Sequence, residues 1–200
     1  AVPGPSSEGM SVWIVGHSLV KWAGRRARER SCGSDLGLRE KGVRITWGGK
    51  GGMLWQDLKT LLNGMISRGT APDVLILHLG ENDLVRSKGL RILKLMKEDM
   101  REVARKWAGT HLMWTEWMPR RIWRGAIKPA AIDSARRKIN AEMRAFCREE
   151  GHGRVVHSGI IFKEKGFFRS DGVHLSAVGL EMYIMVLREA IAGALGVKAW

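Results

Sequence analysis

This sequence predicts an α/β protein built on a parallel sheet, and three observations lead there. Segments rich in β-formers alternate with helix-period segments along the chain. The stretch "DVLILHLG", residues 73–80, is a nearly continuous apolar run closing on glycine, the pattern of a strand buried on both faces. The 200 residues are 44% hydrophobic and 27% charged, which suits one domain with a full core and excludes a disordered chain.

Five strands are expected. The first spans 11–15, where Val12, Trp13, Ile14 and Val15 run into Gly16-His17-Ser18 and a helical pattern follows. The others are 43–46, 73–80, 110–115 and 154–157. Between them, Leu54, Leu58, Leu61, Leu62 and Met65 share one helix face, as do Leu90, Leu93, Met96, Met100, Val103 and Trp107. Ile139, Met143, Phe146 and Cys147 mark another helix, with Asp133 or Ser134 as its N-cap. Ser176 caps the last, whose Leu180, Tyr183, Ile184, Leu187 and Ile191 face inward. Residues 1–10 read as a linker and 11–197 as a single domain; residues 116–132 are the one long irregular stretch.

Composition narrows the setting. No run reaches the roughly 18 apolar residues of a membrane helix. The start "AVPGPSSEG" has no apolar core and is not a secretory signal; without an initiator Met it reads as a processed chain or a piece of a longer one. Two cysteines, Cys32 and Cys147, without metal-type spacing, favour a reduced intracellular setting, cytoplasmic or nuclear. A net charge of +14 favours polyanionic surroundings, with the basic side chains densest in 21–30 and 120–138.

Parallel sheets hold their sites at the carboxyl ends of the strands. Ser18 follows the first strand, "WGGKGGM" (47–53) the second, "GEND" (80–83) the third, and "SDGVHLS" (170–176) precedes the last helix. These are the parts of an acyl-transfer site. A serine hydroxyl needs a base to take its proton, and His174 is the candidate, with Asp171 to fix the imidazole tautomer. The Ser18 and Gly52 N–H groups and the Asn82 amide are candidate oxyanion donors. Each residue also has a plainer role open to it: Ser18 as a helix cap, Asn82 as a turn residue, Asp171 and His174 as a turn and cap.

Competing motifs are broken. Lys50 is followed by Gly51, so the phosphate-loop pattern fails. No G-x-G-x-x-G follows the first strand, and Val20 removes the G-x-S-x-G elbow. His17, His78, His111, His152, His157 and His174 lack metal-ligand spacing, so no metal site is expected.

The order Ser18, Gly52, Asn82, His174 resembles the SGNH (GDSL-type) hydrolase superfamily. "GHS" resembles its first block, "GKGGMLWQDL" its glycine block, "GEND" its G-x-N-D block and "DGVHLS" its D-x-x-H block, spanning about 12–187. The resemblance implies a flavodoxin-like three-layer α/β/α sandwich with a five-stranded parallel sheet. It implies a cofactor-free esterase, acting on lipid, acetyl or other acyl esters. Carried over, Ser18 is the nucleophile, Gly52 and Asn82 complete the oxyanion hole, His174 is the base and Asp171 orients it. His17 stands where the family's first block usually has Asp, and Gly51 where the glycine block often has Ser. That aspartate organises the loop around the serine, so the expectation of activity rests on what His17 does.

The candidate substrate-contacting residues are His17, Lys50, Trp117 and Arg169, with Lys50 and Arg169 placed to hold an anionic group. The 116–132 segment is a candidate substrate loop. The rival expectation is a weak or inactive SGNH-fold module binding nucleic acid through its basic surface, possibly from a transposable-element polyprotein, since superfamily domains occur in such reading frames.

Overall fold

The computed structural model describes residues 9–157, 160 and 165–199. Among them five strands, β1 (Met10–Gly16), β2 (Val43–Gly49), β3 (Val74–His78), β4 (His111–Thr115) and β5 (Gly153–Val155), form one parallel sheet in the order β2-β1-β3-β4-β5. Five α-helices cover it: α1 (Ser18–Arg28), α2 (Leu58–Ile66), α3 (Gly89–Lys106), α4 (Pro129–Glu150) and α5 (Ala177–Leu195).

The period-two alternation of the strands sorts these helices into two layers. Val12 and Ile14 of β1, with Val74 and Ile76 of β3, join a core with Val20, Ala23 and Ala27 of α1 and Leu180, Ile184 and Leu187 of α5. Trp13, Val15, Leu75 and Leu77 point the other way, into Leu58 and Leu62 of α2, Met96 and Met100 of α3, and Met143 and Phe146 of α4. All five β3 side chains are buried, which is why four of them are aliphatic, with His78 the one polar member at its end. Each fully buried aliphatic or aromatic side chain contributes about 1.5–3 kcal/mol, so these two cores hold the helices on the sheet.

The helix ends follow local chemistry. The Ser176 hydroxyl accepts from the Gly179 N–H (3.2 Å) at the start of α5, and Gly196 closes that helix in the left-handed region. α4 departs from expectation. It begins at Pro129, whose fixed φ and missing N–H suit a first helical position, rather than at Asp133 or Ser134. Asp133 lies inside the first turns and pairs instead with Arg136 (2.8 Å) and Arg137. β5 ends at Val155, short of His157, while β2 continues into the glycine block as far as Gly49. β1 begins at Met10, inside the expected linker.

β1 and its neighbour β3 are followed by helices on opposite faces of the sheet, α1 on one and α3 on the other. Their following loops part, and a crevice opens at their carboxyl ends. Gly80 is buried two residues after β3, just before Glu81. Its φ is +114°, and an added Cβ would lie 2.3 Å from the ring of Trp117, itself 1% exposed and held by its Nε1–H on the Leu79 carbonyl (2.8 Å). Gly80→Ala is therefore expected to cost about 2–5 kcal/mol through strain and overpacking together. An unchanged urea midpoint would rule this out.

Candidate active site

At the crevice, Ser18 is the first residue of α1, with His17 as its N-cap. Its N–H makes no hydrogen bond among the described residues and points from a helix N-terminus, where the peptide dipoles favour negative charge. Gly52 lies on the loop after β2 with φ +69°, and an added Cβ there would meet open space. Its N–H also has no partner among the described residues. Asn82 lies just after β3. Its Nδ2 donates to the Met53 carbonyl (3.0 Å), and its Oδ1 accepts from both Nη1 and Nη2 of Arg120 (3.2 Å each). Guanidinium only donates, so the amide orientation is determined and one Nδ2 hydrogen stays unspent.

His174 and Asp171 share a tight turn before α5. The Asp171 Oδ2 accepts from the His174 Nδ1–H (2.6 Å), while its Oδ1 accepts from the backbone N–H groups of Val173 and His174 (2.9 Å each). Arg124 adds a fourth contact at 3.2 Å. Desolvation alone would raise the Asp171 pKa. The hydrogen bonds from the His174 ring and from the two backbone N–H groups hold it well below the ordinary carboxylate range. With Nδ1 so engaged, the His174 Nε2 makes no hydrogen bond among the described residues and is the nitrogen left for proton transfer.

Ser18, Gly52, Asn82 and His174 line a single outer cleft. An inner recess shares Ser18, Trp22, Arg120 and His174 with it and has His17 and Glu81 at its floor. The four residues predicted from separate strand ends are thus brought together, with Asp171 behind His174.

The other predicted contacts distribute differently. His17 is 3% exposed and lies beneath Ser18. Lys50 is exposed and lines a neighbouring groove with Met53, Asp57 and Leu61 rather than the cleft. Trp117 is in the core, its backbone pinned by both ends of the Asn140 amide (3.1 and 3.0 Å) and by Arg136 (3.0 Å). Arg169 lies over the ring of Trp22 (4.4 Å) and donates to the Leu175 carbonyl (3.1 Å). The 116–132 segment does border the cleft, through Arg120, Trp123 and Arg124. Its Arg121 and Ile122 N–H groups both donate to the Gly172 carbonyl (3.0 Å), so it is bonded to the turn that carries Asp171 and His174.

A network the motif reading did not anticipate lies under the serine. The His17 Nδ1 accepts from the Leu19 N–H (3.3 Å), which leaves its Nε2–H to donate to Oε2 of Glu81 (2.7 Å). Oε1 of Glu81 takes the Nε2–H of His78 (2.9 Å), and the His78 Nδ1 meets the Tyr183 hydroxyl (2.9 Å). Every site along this chain is satisfied with both imidazoles neutral and Glu81 as its one charge. His17 therefore caps α1 with a ring nitrogen where an aspartate would use an oxygen. Burial would raise the Glu81 pKa, but the facing N–H groups of the two imidazoles, by electrostatic attraction and hydrogen bonding, hold it well below the ordinary range. Burial lowers His17 more than Glu81 raises it. Burial also raises Tyr183. The signal for Glu81 was present in "GEND": an acid beside Asn82, in a chain whose first block has exchanged its acid for a base.

Among the described residues, His17, His78 and Glu81 are the one group of three ligand-type side chains close enough to hold a metal ion. Their facing atoms are already joined as hydrogen bonds, so the cluster is complete as a proton-bridged unit.

No family model matches this chain, and no curated protein matches it. Solved structures do. A GDSL-like lipase from Bacteroides thetaiotaomicron superposes with a TM-score of 0.73 at 16% identity, covering 96% of this chain and 93% of that one. A member of the lipolytic protein G-D-S-L family from Veillonella parvula gives 0.71 at 13%, covering 90% and 97%. The psychrotrophic esterase EstA from Pseudoalteromonas sp. gives 0.72 at 10%, covering 93% and 98%. The chain thus shares the three-layer α/β/α fold of these structures. More particularly, its fold is that of the SGNH (GDSL-type) hydrolases.

The buried histidines make stability depend on pH. His17 and His157 have folded-state pKa values below the ordinary 6.5, both through burial; His78 and Glu81 are near each, and Arg120 is near His17. The two ring nitrogens of His157 have no partner among the described residues. Below pH 6.5 the unfolded chain thus binds more protons than the folded one, and stability falls with pH. The slope reaches about 1.4 kcal/mol per pH unit for each histidine. Glu81, also lowered, contributes only below its ordinary value of 4.5. Urea midpoints at constant ionic strength should drop between pH 7.5 and 5, and His157→Phe should remove about a third of that slope, since burial also holds His152 low. A flat profile would contradict the assignment.

Proposed function

We propose that the protein is a serine ester hydrolase. The observation that carries this reading is His174, bonded to Asp171 at 2.6 Å, sharing one cleft with Ser18 and with three unspent donors. The Ser18 hydroxyl attacks the ester carbonyl as His174 Nε2 takes its proton, and Asp171 holds the tautomer and stabilises the imidazolium. The tetrahedral oxygen is met by the N–H groups of Ser18 and Gly52 and by Asn82 Nδ2, which line the same cleft. His174 then returns the proton to the departing alcohol, and a water, activated by the same base, releases the acid. The fold likeness to a lipase and to an esterase supports this reading, and the residues present need no cofactor to perform it.

His17 is compatible with this chemistry because it retains the capping bond to Leu19 and so keeps the Ser18 N–H at the helix start. A fluorophosphonate probe should label the protein, and Ser18→Ala should not be labelled. On an activated ester, Ser18→Ala or His174→Ala should lower kcat by about 10⁴–10⁶. Asn82→Ala should lower it by about 10²–10³. A folded wild-type protein that neither takes the label nor turns over any ester would overturn the reading.

A further inference from the structure

The cleft wall is made of cations. Lys21, Arg86, Arg120 and Arg124 line the outer cleft that contains Ser18, Gly52 and His174, and none of the described residues lining it is an aspartate or glutamate. Arg124 is ion-paired to Asp171 (3.2 Å). Lys21 and Arg86 lie within ion-pair distance of no carboxylate among the described residues. Arg120 is half-buried, rests against the ring of Trp123 (5.1 Å) and gives two of its five N–H groups to Asn82 Oδ1. Its remaining hydrogens are unclaimed among the described residues, on a group that lines both parts of the cavity.

Arg124 is engaged by Asp171 and one side of Arg120 by Asn82, contacts that serve any ester; Lys21, Arg86 and the free edge of Arg120 are cations that a neutral ester would not use. Four guanidinium or ammonium groups around one concavity with low-dielectric walls raise the local concentration of anions and orient them. Lys50 and Arg169, the cations nearest the motifs in sequence, are outside this wall, so it comes from three separate segments: the first turn of α1, the loop after β3 and the loop after β4.

We propose that the substrate is a small ester carrying a phosphate or carboxylate group on its acyl or alcohol part, held by Lys21, Arg86 and the free edge of Arg120 while Ser18 attacks the ester. This rests on the serine-hydrolase reading above and names its substrate class.

Two matched pairs test it. The first compares mono-p-nitrophenyl glutarate with p-nitrophenyl pentanoate, an acyl-side carboxylate against a neutral chain. The second compares acetylated glycerol phosphate with acetylated glycerol, an alcohol-side phosphate against none. In at least one pair kcat/KM should favour the anion by about 10-fold or more at low salt, carried by KM, and the preference should shrink as NaCl rises to about 0.5 M. The pair that responds identifies which side of the ester is charged. In the double variant Lys21→Gln, Arg86→Gln, the ratio of anionic to neutral kcat/KM should fall about 5-fold; being a ratio within one protein, it is insensitive to the fraction folded. Hydrolysis of the neutral esters with no preference in either pair overturns this proposal and leaves the serine-hydrolase reading standing. Absence of both turnover and probe labelling overturns that reading itself. Strong, salt-sensitive inhibition by a single-stranded oligonucleotide, with no preference in either ester pair, overturns the proposal in favour of nucleic-acid binding.

Discussion

The Glu81 carboxylate, 2% exposed and ionised beneath the serine, is the constraint on which this site depends. An unpartnered charge so placed would be untenable, and the chain meets it with two imidazoles from different segments. Each imidazole has a second engagement. His17 reaches the start of α1, and His78 reaches Tyr183 in α5. One buried charge thereby joins the end of β1, the end of β3 and the helix that follows the D-x-x-H turn. The start of α1, with the Ser18 N–H, inherits its rigidity from this joint, because Ser18 is the next residue after His17.

Arg120 extends the same logic outward. It lies close enough to Glu81 and His17 to be felt by both, and it also grips Asn82. Drawing electron density out of the amide oxygen makes the opposite Nδ2–H a better donor. In the proposed reaction the tetrahedral intermediate would lie between a polarised amide, a helix N-terminus and a cationic wall, three sources of positive potential supplied by unrelated parts of the chain.

Much of this was readable before any coordinates. Five strands and their helices follow from periodicity, because burial on a sheet or a helix face imposes a repeat that a single sequence displays. Ser18, Gly52, Asn82, Asp171 and His174 follow from asking what stands after each strand. What escaped has a common cause. The bond between His17 and Glu81 spans 64 residues, and the grip of Arg120 on Asn82 spans 38. No local pattern announces either. Trp117 reads as a loop aromatic until Asn140, 23 residues later, anchors its backbone in the core. The start of α4 was misjudged because Asp133 is a good cap by type, while Pro129 was free to open the helix four residues earlier. There the competing principle was the preorganised proline turn.

The bonds from Arg121 and Ile122 to Gly172, and from Arg124 to Asp171, bear on how such a protein diversifies. In many scaffolds the loops that choose a substrate are insulated from the groups that transform it, so one can drift while the other stays fixed. Here the borders coincide: the segment walling the cleft is stitched to the turn holding the base. A lineage that reshapes this wall for a new ligand also shifts the electrostatics of its own acid–base pair. Two of those contacts come from backbone N–H groups that every residue but proline keeps, so the constraint falls on the course of the backbone and on Arg124, while Lys21 and Arg86 are free of it.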